Sequence, residues 1–459
     1  MTAAAAVAIP TIAGAQGTVL PAPTRDPLAI DREADPILKM AREAAPTDYF
    51  RQFITAAVAR HPALGEARAT GDEARAARSE ARAARNPRLD ATVSAYRTID
   101  REFSNDPQNI IERSRASRRT DALLTLEQPL IDFGAAAARV GAASARLRGA
   151  AAGIDNAASD VALRSIAAWY DVYAYRALVT LGEAFAANQQ DLAKAVDVRI
   201  EQGVSAPGDV ARVTSYTTAT ETRLARYRRA LAGAEAQFEE LFGVAAPQNL
   251  GRAPPADGPR LTRDAAAALA ADTPTARSAR AEAEAARLQA KATRADTQPV
   301  ISAGIDAGRY GVFETDRDYD IRGRITARAR LFGGVGSRAQ QAEARATATE
   351  ARATRIIEEG RRDAIIAWSD VAALETQQAA LERSYVAGRQ SRDVLFERFR
   401  VARGSLFDVL ASEDTFFETA TAYVQGVAEL DAARYVLLSR TGKLLDALQI
   451  APADAQEAR

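Results

Sequence analysis

The chain is an internal duplication, and that constrains its fold more than any motif in it. Its two tryptophans, Trp169 and Trp368, occur as Ala-Trp-Tyr-Asp-Val and Ala-Trp-Ser-Asp-Val, 199 residues apart. Without a gap the same offset relates Arg139 to Arg338, Arg199 to Arg398, Asp209-Val210 to Asp408-Val409, and Gly243 to Gly442. Earlier in each copy the offset is 212: it carries Pro62 to Pro274 and Pro87 to Pro299, so the first copy gains 13 residues between Pro87 and Arg139. A repeat of about 200 residues is too long for a solenoid unit, so each copy is a supersecondary assembly of its own.

Each copy reads in the same order. Residues 1–15 are small and apolar and end in an Ala-x-Ala-like site before Gln16, which suggests the remnant of a secretory signal without its charged start. Residues 16–49, rich in proline and without a clear period, read as a linker. The first repeat, 50–243, opens with a helix over about 49–86 that Pro87 ends. A strand over about 88–97 alternates Leu89, Ala91, Val93 and Ala95 with Asp90, Thr92 and Ser94. A second strand covers about 120–129, a helix of nearly 70 residues covers 134–202, and a shorter one, capped by Ser205 with Pro207 in its first turn, reaches Phe242.

A proline-rich linker at 244–261 leads into the second repeat, 262–449: a helix to about 295, strands at about 299–312 and 319–332, a long helix to about 402, and a last one over 406–448. In the last helix Ala420, Tyr423, Val427, Leu430, Leu437, Leu444 and Leu448 keep coiled-coil spacing. Residues 450–459 form a tail. The fourth strand is the most polarised, with Ile321, Gly323, Ile325, Ala327, Ala329 and Leu331 on one face and Arg322, Arg324, Thr326, Arg328 and Arg330 on the other.

Composition removes whole classes of function. There is no cysteine, so thiol nucleophiles, disulfides, thiolate metal sites and a lipid anchor on a mature N-terminus are not expected. His61, the one histidine, stands before Pro62 as a helix-end residue and leaves no set for zinc or a serine triad. Lys plus Arg equals Asp plus Glu at 60 each, so no global field favours nucleic acid. Gly333-Gly334-Val335-Gly336 lacks the Lys-Ser/Thr of a phosphate loop and turns a strand into a helix. No catalytic residue, metal or cofactor is expected.

No stretch is long and apolar enough for a membrane-spanning helix, so a span would have to be made by strands. Four two-faced strands cannot close a barrel in lipid, where an open edge leaves backbone groups unsatisfied and about eight strands are the minimum. Several chains would therefore share one barrel. One long helix matched by two short ones end to end, rich in alanine for close approach, would suit a tube wall. The alternative is a soluble trimeric coiled-coil scaffold whose hairpins pack on the helices with their polar face in water.

Over about residues 50–450 the chain resembles the TolC family of outer-membrane channel proteins. The carrying segments are Ala59-Arg60-His61-Pro62-Ala63-Leu64, Glu127-Gln128-Pro129-Leu130-Ile131-Asp132-Phe133-Gly134, Gly203-Val204-Ser205-Ala206-Pro207-Gly208-Asp209-Val210 and Arg403-Gly404-Ser405-Leu406-Phe407-Asp408-Val409-Leu410. The resemblance implies a mainly α fold with a small β part: a homotrimer whose twelve strands form one transmembrane barrel in outer-membrane lipid, above an α-helical barrel crossing the periplasm. It also implies a passive exit duct, in efflux or type I secretion, working with a periplasmic adaptor (membrane fusion protein) and an inner-membrane transporter.

The resemblance further implies site residues. The helix tips Gly203, Val204, Ser205 and Ala206, with Ala402, Gly404 and Ser405, would contact the adaptor. Asp209 and Asp408 would stand at the periplasmic gate, where carboxylates from three chains favour cations; both also suit the first turn of a helix through its dipole. The family's gate tyrosine falls at Phe399 and its gate arginine at Gly404, which leaves Arg403 as the candidate partner of Asp209. The tip and the ending Tyr435-Val436-Leu437-Leu438-Ser439-Arg440-Thr441-Gly442 look closer to members serving protein secretion. From the strand pattern itself, Arg322, Arg324, Arg328 and Arg330 would face the barrel lumen and favour anions, or else pair with Asp90, Glu127 and Asp306 on neighbouring strands.

Overall fold

The computed structural model describes residues 20–451 except 22, 25, 28, 101–115, 202–205, 207, 257–260, 316, 317, 331 and 402, and the side chain of residue 199 is also outside the description. The expected leader at 1–15 and residues 452–459 of the tail lie outside the described residues.

The first repeat contains α2 (Thr47–Arg60), α3 (Pro62–Ala83), β1 (Arg88–Arg97), β2 (Arg118–Ile131), α4 (Ala135–Glu201) and α5 (Gly208–Phe242), preceded by α1 (Pro36–Arg42). The second contains α6 (Arg263–Ala270), α7 (Pro274–Ala295), β3 (Val300–Arg309), β4 (Tyr319–Arg328), α8 (Val335–Arg400), α9 (Leu406–Arg440) and the short α10 (Leu444–Ala447). The duplication is visible element by element. β3 is β1 shifted by 212, whereas the left-handed glycines that end strands and helices, Gly134 with Gly333 and Gly243 with Gly442, are 199 apart. The inserted residues therefore fall in the β1–β2 connection, where a longer loop costs little.

Three expected helices end earlier than their periodicity suggests, each at a backbone breaker. The helix expected over 49–86 is two, because the ring of Pro62 drives His61 into an extended conformation; the His61 imidazole Nδ1 accepts from the Ala63 N–H at 3.1 Å and caps the break. The helix expected over 262–295 is likewise interrupted before Pro274. The last helix stops at Arg440, since Gly442 adopts φ +71°, so Leu444 and Leu448 of the expected seam belong to the next segment although both are buried.

The chain forms two compact units, each drawing on both repeats. One comprises Met1–Ala67, Ile154–Pro274 and Ile357–Arg459. Its largest core gathers Phe50 and Ile54 of α2, Trp169 of α4, Phe238 of α5 and Tyr435 of α9. Trp169 is fully buried, meets the rings of Phe50 and Phe53 edge-on at 5.3 and 5.7 Å, and donates its indole N–H to the Gly251 carbonyl at 3.0 Å. Trp368 donates to the Leu261 carbonyl at 2.8 Å. The paired tryptophans thus tie both long helices to the inter-repeat linker.

Residues 16–49 are more than a linker. Leu20, Ile37 and Leu38 are buried with Leu178 and Phe185 of α4, Tyr385 of α8 and Phe416 and Val424 of α9. Asp35 caps α1 by accepting from the Ile37 and Leu38 N–H groups at 2.9 and 3.0 Å, and Pro36 follows at N1. The same buried carboxylate accepts from the Tyr385 hydroxyl at 2.8 Å and pairs with Arg389. Proline content argued for a loop here, but the Asp-Pro pair was a helix-start signal.

The second unit, Arg68–Gly153 and Thr275–Ile356, holds one antiparallel sheet in the order β1-β2-β3-β4. Arg139–Asp296 and Arg148–Glu284 ion pairs, the latter at 2.6 Å, join α4 to the segment around α7, and Gly149 lets α4 approach Ala281 closely.

Candidate functional site: the strand face and the helix tips

Cross-strand partners share a face of a sheet, so the register sorts the strand residues. Leu89↔Leu126↔Ile305↔Gly323 form one row, and Ala91↔Leu124↔Ala307↔Ile321 the next. On the opposite face lie Arg88↔Glu127↔Gly304↔Arg324 and Asp90↔Thr125↔Asp306↔Arg322. The apolar face is open: Val93, Ile321 and Ile325 are 74%, 67% and 78% exposed. Strands of ten residues match the ~9–11 that a tilted span needs. At one end of the strands Phe133 and Phe332, equivalent in the two repeats, are exposed aromatics.

The polar face holds three of the expected arginines, Arg322, Arg324 and Arg328, and settles part of their chemistry. Arg324 pairs with Asp306 across the β3–β4 ladder at 3.3 Å, and Arg322 pairs with Asp320 on its own strand. Arg88 meets Asp90 at 2.9 Å and Glu127 at 3.7 Å. Among the described residues no acid pairs with Arg328, or with Arg330, which lies two residues beyond the end of β4. Of the acids expected as partners, Asp306 takes Arg324, while Asp90 and Glu127 serve Arg88.

At the tips, Gly203, Val204, Ser205 and Ala402 lie outside the described residues, as does Pro207. Ala206 donates its N–H to the Asp209 carboxylate at 3.2 Å, and the Asp209 N–H donates to the Ala206 carbonyl at 2.9 Å, so Asp209 fixes the entry to α5. Ser405 caps α9 by accepting from the Phe407 N–H at 3.1 Å, and Asp408 follows in the first turn, exposed. Both aspartates thus occupy the dipole-favoured position. Arg403 is exposed and its N–H closes the end of α8 on the Arg398 carbonyl at 2.8 Å; within one chain it makes no ion pair with Asp209.

Two tip residues have a packing explanation. Phe399, expected at the gate, is buried with Leu192, Val196, Val213, Leu406, Val409 and Leu410 in a small core just behind the turn. Gly404, where the family pattern expects arginine, packs against backbone: a Cβ there would stand 2.9 Å from the Phe399 nitrogen. A side chain at this position cannot be accommodated without moving the turn. Sequence reasoning missed Arg212, whose guanidinium lies 5.5 Å over the exposed ring of Phe407, because no spacing rule links the two helix starts.

Comparison with known proteins agrees with this geometry. Residues 53–244 match the family model for outer membrane efflux proteins. That match covers 192 of the 459 residues, and the fold of solved outer membrane proteins extends over most of the chain. The chain is 24% identical over 298 residues to the outer membrane efflux protein BepC of Brucella suis biovar 1, a match covering 63% of this chain and 64% of that protein's length. Among solved structures, the outer membrane protein VceC of Vibrio cholerae superposes with a TM-score of 0.76 at 17% identity, over 86% of this chain and 96% of VceC. The Campylobacter jejuni CmeC outer membrane channel does so with 0.74 at 12% identity, over 96% and 94%. The matched family model and the superposed structures are of outer membrane proteins, in line with the expected location.

Proposed function

We propose that three copies of the chain form an outer-membrane channel that serves as the passive exit duct of a transport system crossing the periplasm. The observation that carries this reading is the sheet: among the described residues, four antiparallel strands whose outer members β1 and β4 have no further neighbour, with an apolar face open along its length. Alone in lipid such a sheet leaves two edges unsatisfied; three of them, edge to edge, close into twelve strands with none.

The helices support the same assembly. α3 and α7 are repeat mates of 22 residues, yet α7 buries six alanines while α3 buries Leu64 and Gly71 alone. A helix with the same alanine-rich pattern but no cover in its own chain is suited to a neighbouring copy.

In this reading Arg322, Arg324, Arg328 and Arg330 face the lumen and the apolar rows face outer-membrane lipid. Asp209, Asp408 and Arg403 approach the periplasmic constriction, and the tips at Ala206, Gly404 and Ser405 meet a periplasmic adaptor joined to an inner-membrane transporter. The tip and C-terminal residues favour a type I secretion partner. The test is direct: the chain sediments with outer-membrane markers, runs as a trimer in mild detergent and gives discrete conductance steps in planar bilayers. A protein soluble without detergent would reject the channel. Cross-linking in cells followed by purification identifies the transporter, and recovery of a drug pump alone would reject the secretion assignment.

A further inference from the structure

The helical unit contains a cavity that the channel reading does not use. It has a volume of about 570 Å³ and lies among α4, α8 and α9, bounded by Pro23, Gln189, Leu192, Phe396, Phe399 and Glu413. Two of these residues present acceptors with no partner. Gln189 is 1% exposed and Glu413 5%, and among the described residues neither the Gln189 Oε1 nor the Glu413 Oε2 accepts a hydrogen bond. An unpaired acceptor this deep costs free energy unless something supplies a donor.

The charge around the cavity says which donor. Arg392, fully buried, donates to the Asp393 carboxylate from Nε at 2.8 Å and to the Pro21 carbonyl from Nη1 at 2.8 Å, and stacks 4.2 Å over the Phe416 ring. It reaches Glu413 only at 4.0 Å, from the Nε already given to Asp393. Asp393 is itself fully buried and its Oδ2 has no partner among the described residues. Among the described residues the buried cluster therefore contains two carboxylates against one guanidinium. Arg400 also borders the cavity but is engaged by Glu397 at 3.0 Å. Burial pushes the Glu413 carboxyl above the usual carboxylate range, with Asp393 adding to the rise and Arg392 opposing it.

We propose that this cavity binds a small organic cation: a primary ammonium whose N–H groups are taken by Glu413 Oε2 and Gln189 Oε1 and whose apolar body lies against Leu192, Phe396 and Phe399. An ammonium supplies several donors and the missing positive charge together, and aromatic faces add cation–π attraction. A bare metal ion fits less well, because no group of three or more acidic ligands exists among the described residues. An anion meets excess negative charge. The volume exceeds what one aromatic ring and an aminomethyl group need and falls in the range of small-molecule pockets. The site is formed within one chain and stands whether or not the channel reading does.

The probe is 4-fluorobenzylammonium, followed by fluorine NMR on the purified full chain in detergent, with 4-fluorobenzyl alcohol as the neutral control of equal shape. The ammonium is expected to bind saturably, and the alcohol at least about tenfold more weakly, the size of a lost charge-assisted bond. Glu413→Gln should weaken the ammonium by about tenfold and Gln189→Leu by several-fold, with no change for the alcohol. Equal binding of the two probes, or full affinity in both variants, would overturn the proposal. So would a high-resolution map with probe present that shows only water on both acceptors. If Glu413→Gln fails to fold, Gln189→Leu, which removes no charge, decides by itself.

Discussion

At the scale of single residues, burial decides which side chains matter. Trp169 has aromatic neighbours on several sides and a bonded indole N–H, so Trp169→Ala should cost about 3–5 kcal/mol. Trp368 is only half-buried, and the same change there should cost less; thermal unfolding in detergent ranks the two variants. Gly404→Ala forces the Arg398–Phe399 backbone to move, so trypsin should cut the variant at the tip faster than the parent. Unchanged cleavage would mean that the turn tolerates a Cβ. Glu413 gives a pH dependence whose sign follows from its raised pKa. Between the ordinary carboxylate range and its raised value the folded chain holds a proton that the unfolded chain has lost, so stability falls as pH rises through that window. Glu413→Gln has no such proton to lose, and its stability profile should lack that downward slope.

Among secondary-structure elements, the sheet separates two chemistries by the parity of the residue number. Ile325→Arg would place a charge on the open apolar face and, at the middle of a bilayer, cost about 2–4 kcal/mol; assembly into membranes should fall accordingly. On the other face the ion pairs grade the arginines. Arg322 and Arg324 have acidic partners, whereas Arg328 has none among the described residues, so Arg328→Ala should shift the reversal potential toward cations more than Arg322→Ala or Arg324→Ala. Equal shifts would mean that the partners do not neutralise the paired arginines. Alternation predicted all four strands, because a period of two is a local property. It missed the breaks at His61 and before Pro274, where one proline overrides a helical composition.

At the scale of the whole molecule, the decisive prediction concerns the sheet edges. β1 and β4 are separated by β2 and β3, roughly 14 Å at the usual strand spacing, which is beyond disulfide reach. The natural chain has no cysteine, so a pair such as Val93→Cys with Ile325→Cys, moved along the strands in a short register scan, can bond only between copies. A ladder ending at three chains is expected under oxidation; monomers at every register would reject the shared barrel.

The sequence by itself determined the duplication, the order of elements, the two-faced strands and the absence of thiol or histidine chemistry, because each of these is a local pattern or a count. The tips were legible as turns, since Ser405 and Asp408 carry capping signals that act within one helical turn. Only the tertiary structure decided that Phe399 belongs to a core and that Arg324 pairs with Asp306. It alone showed that Leu20, Asp35, Ile37 and Leu38 are buried, and that Gln189 and Glu413 share a cavity. Each of these joins residues far apart in the chain, and a contact of that kind is set by how packed helices and strands exclude water. No periodicity in the sequence records it.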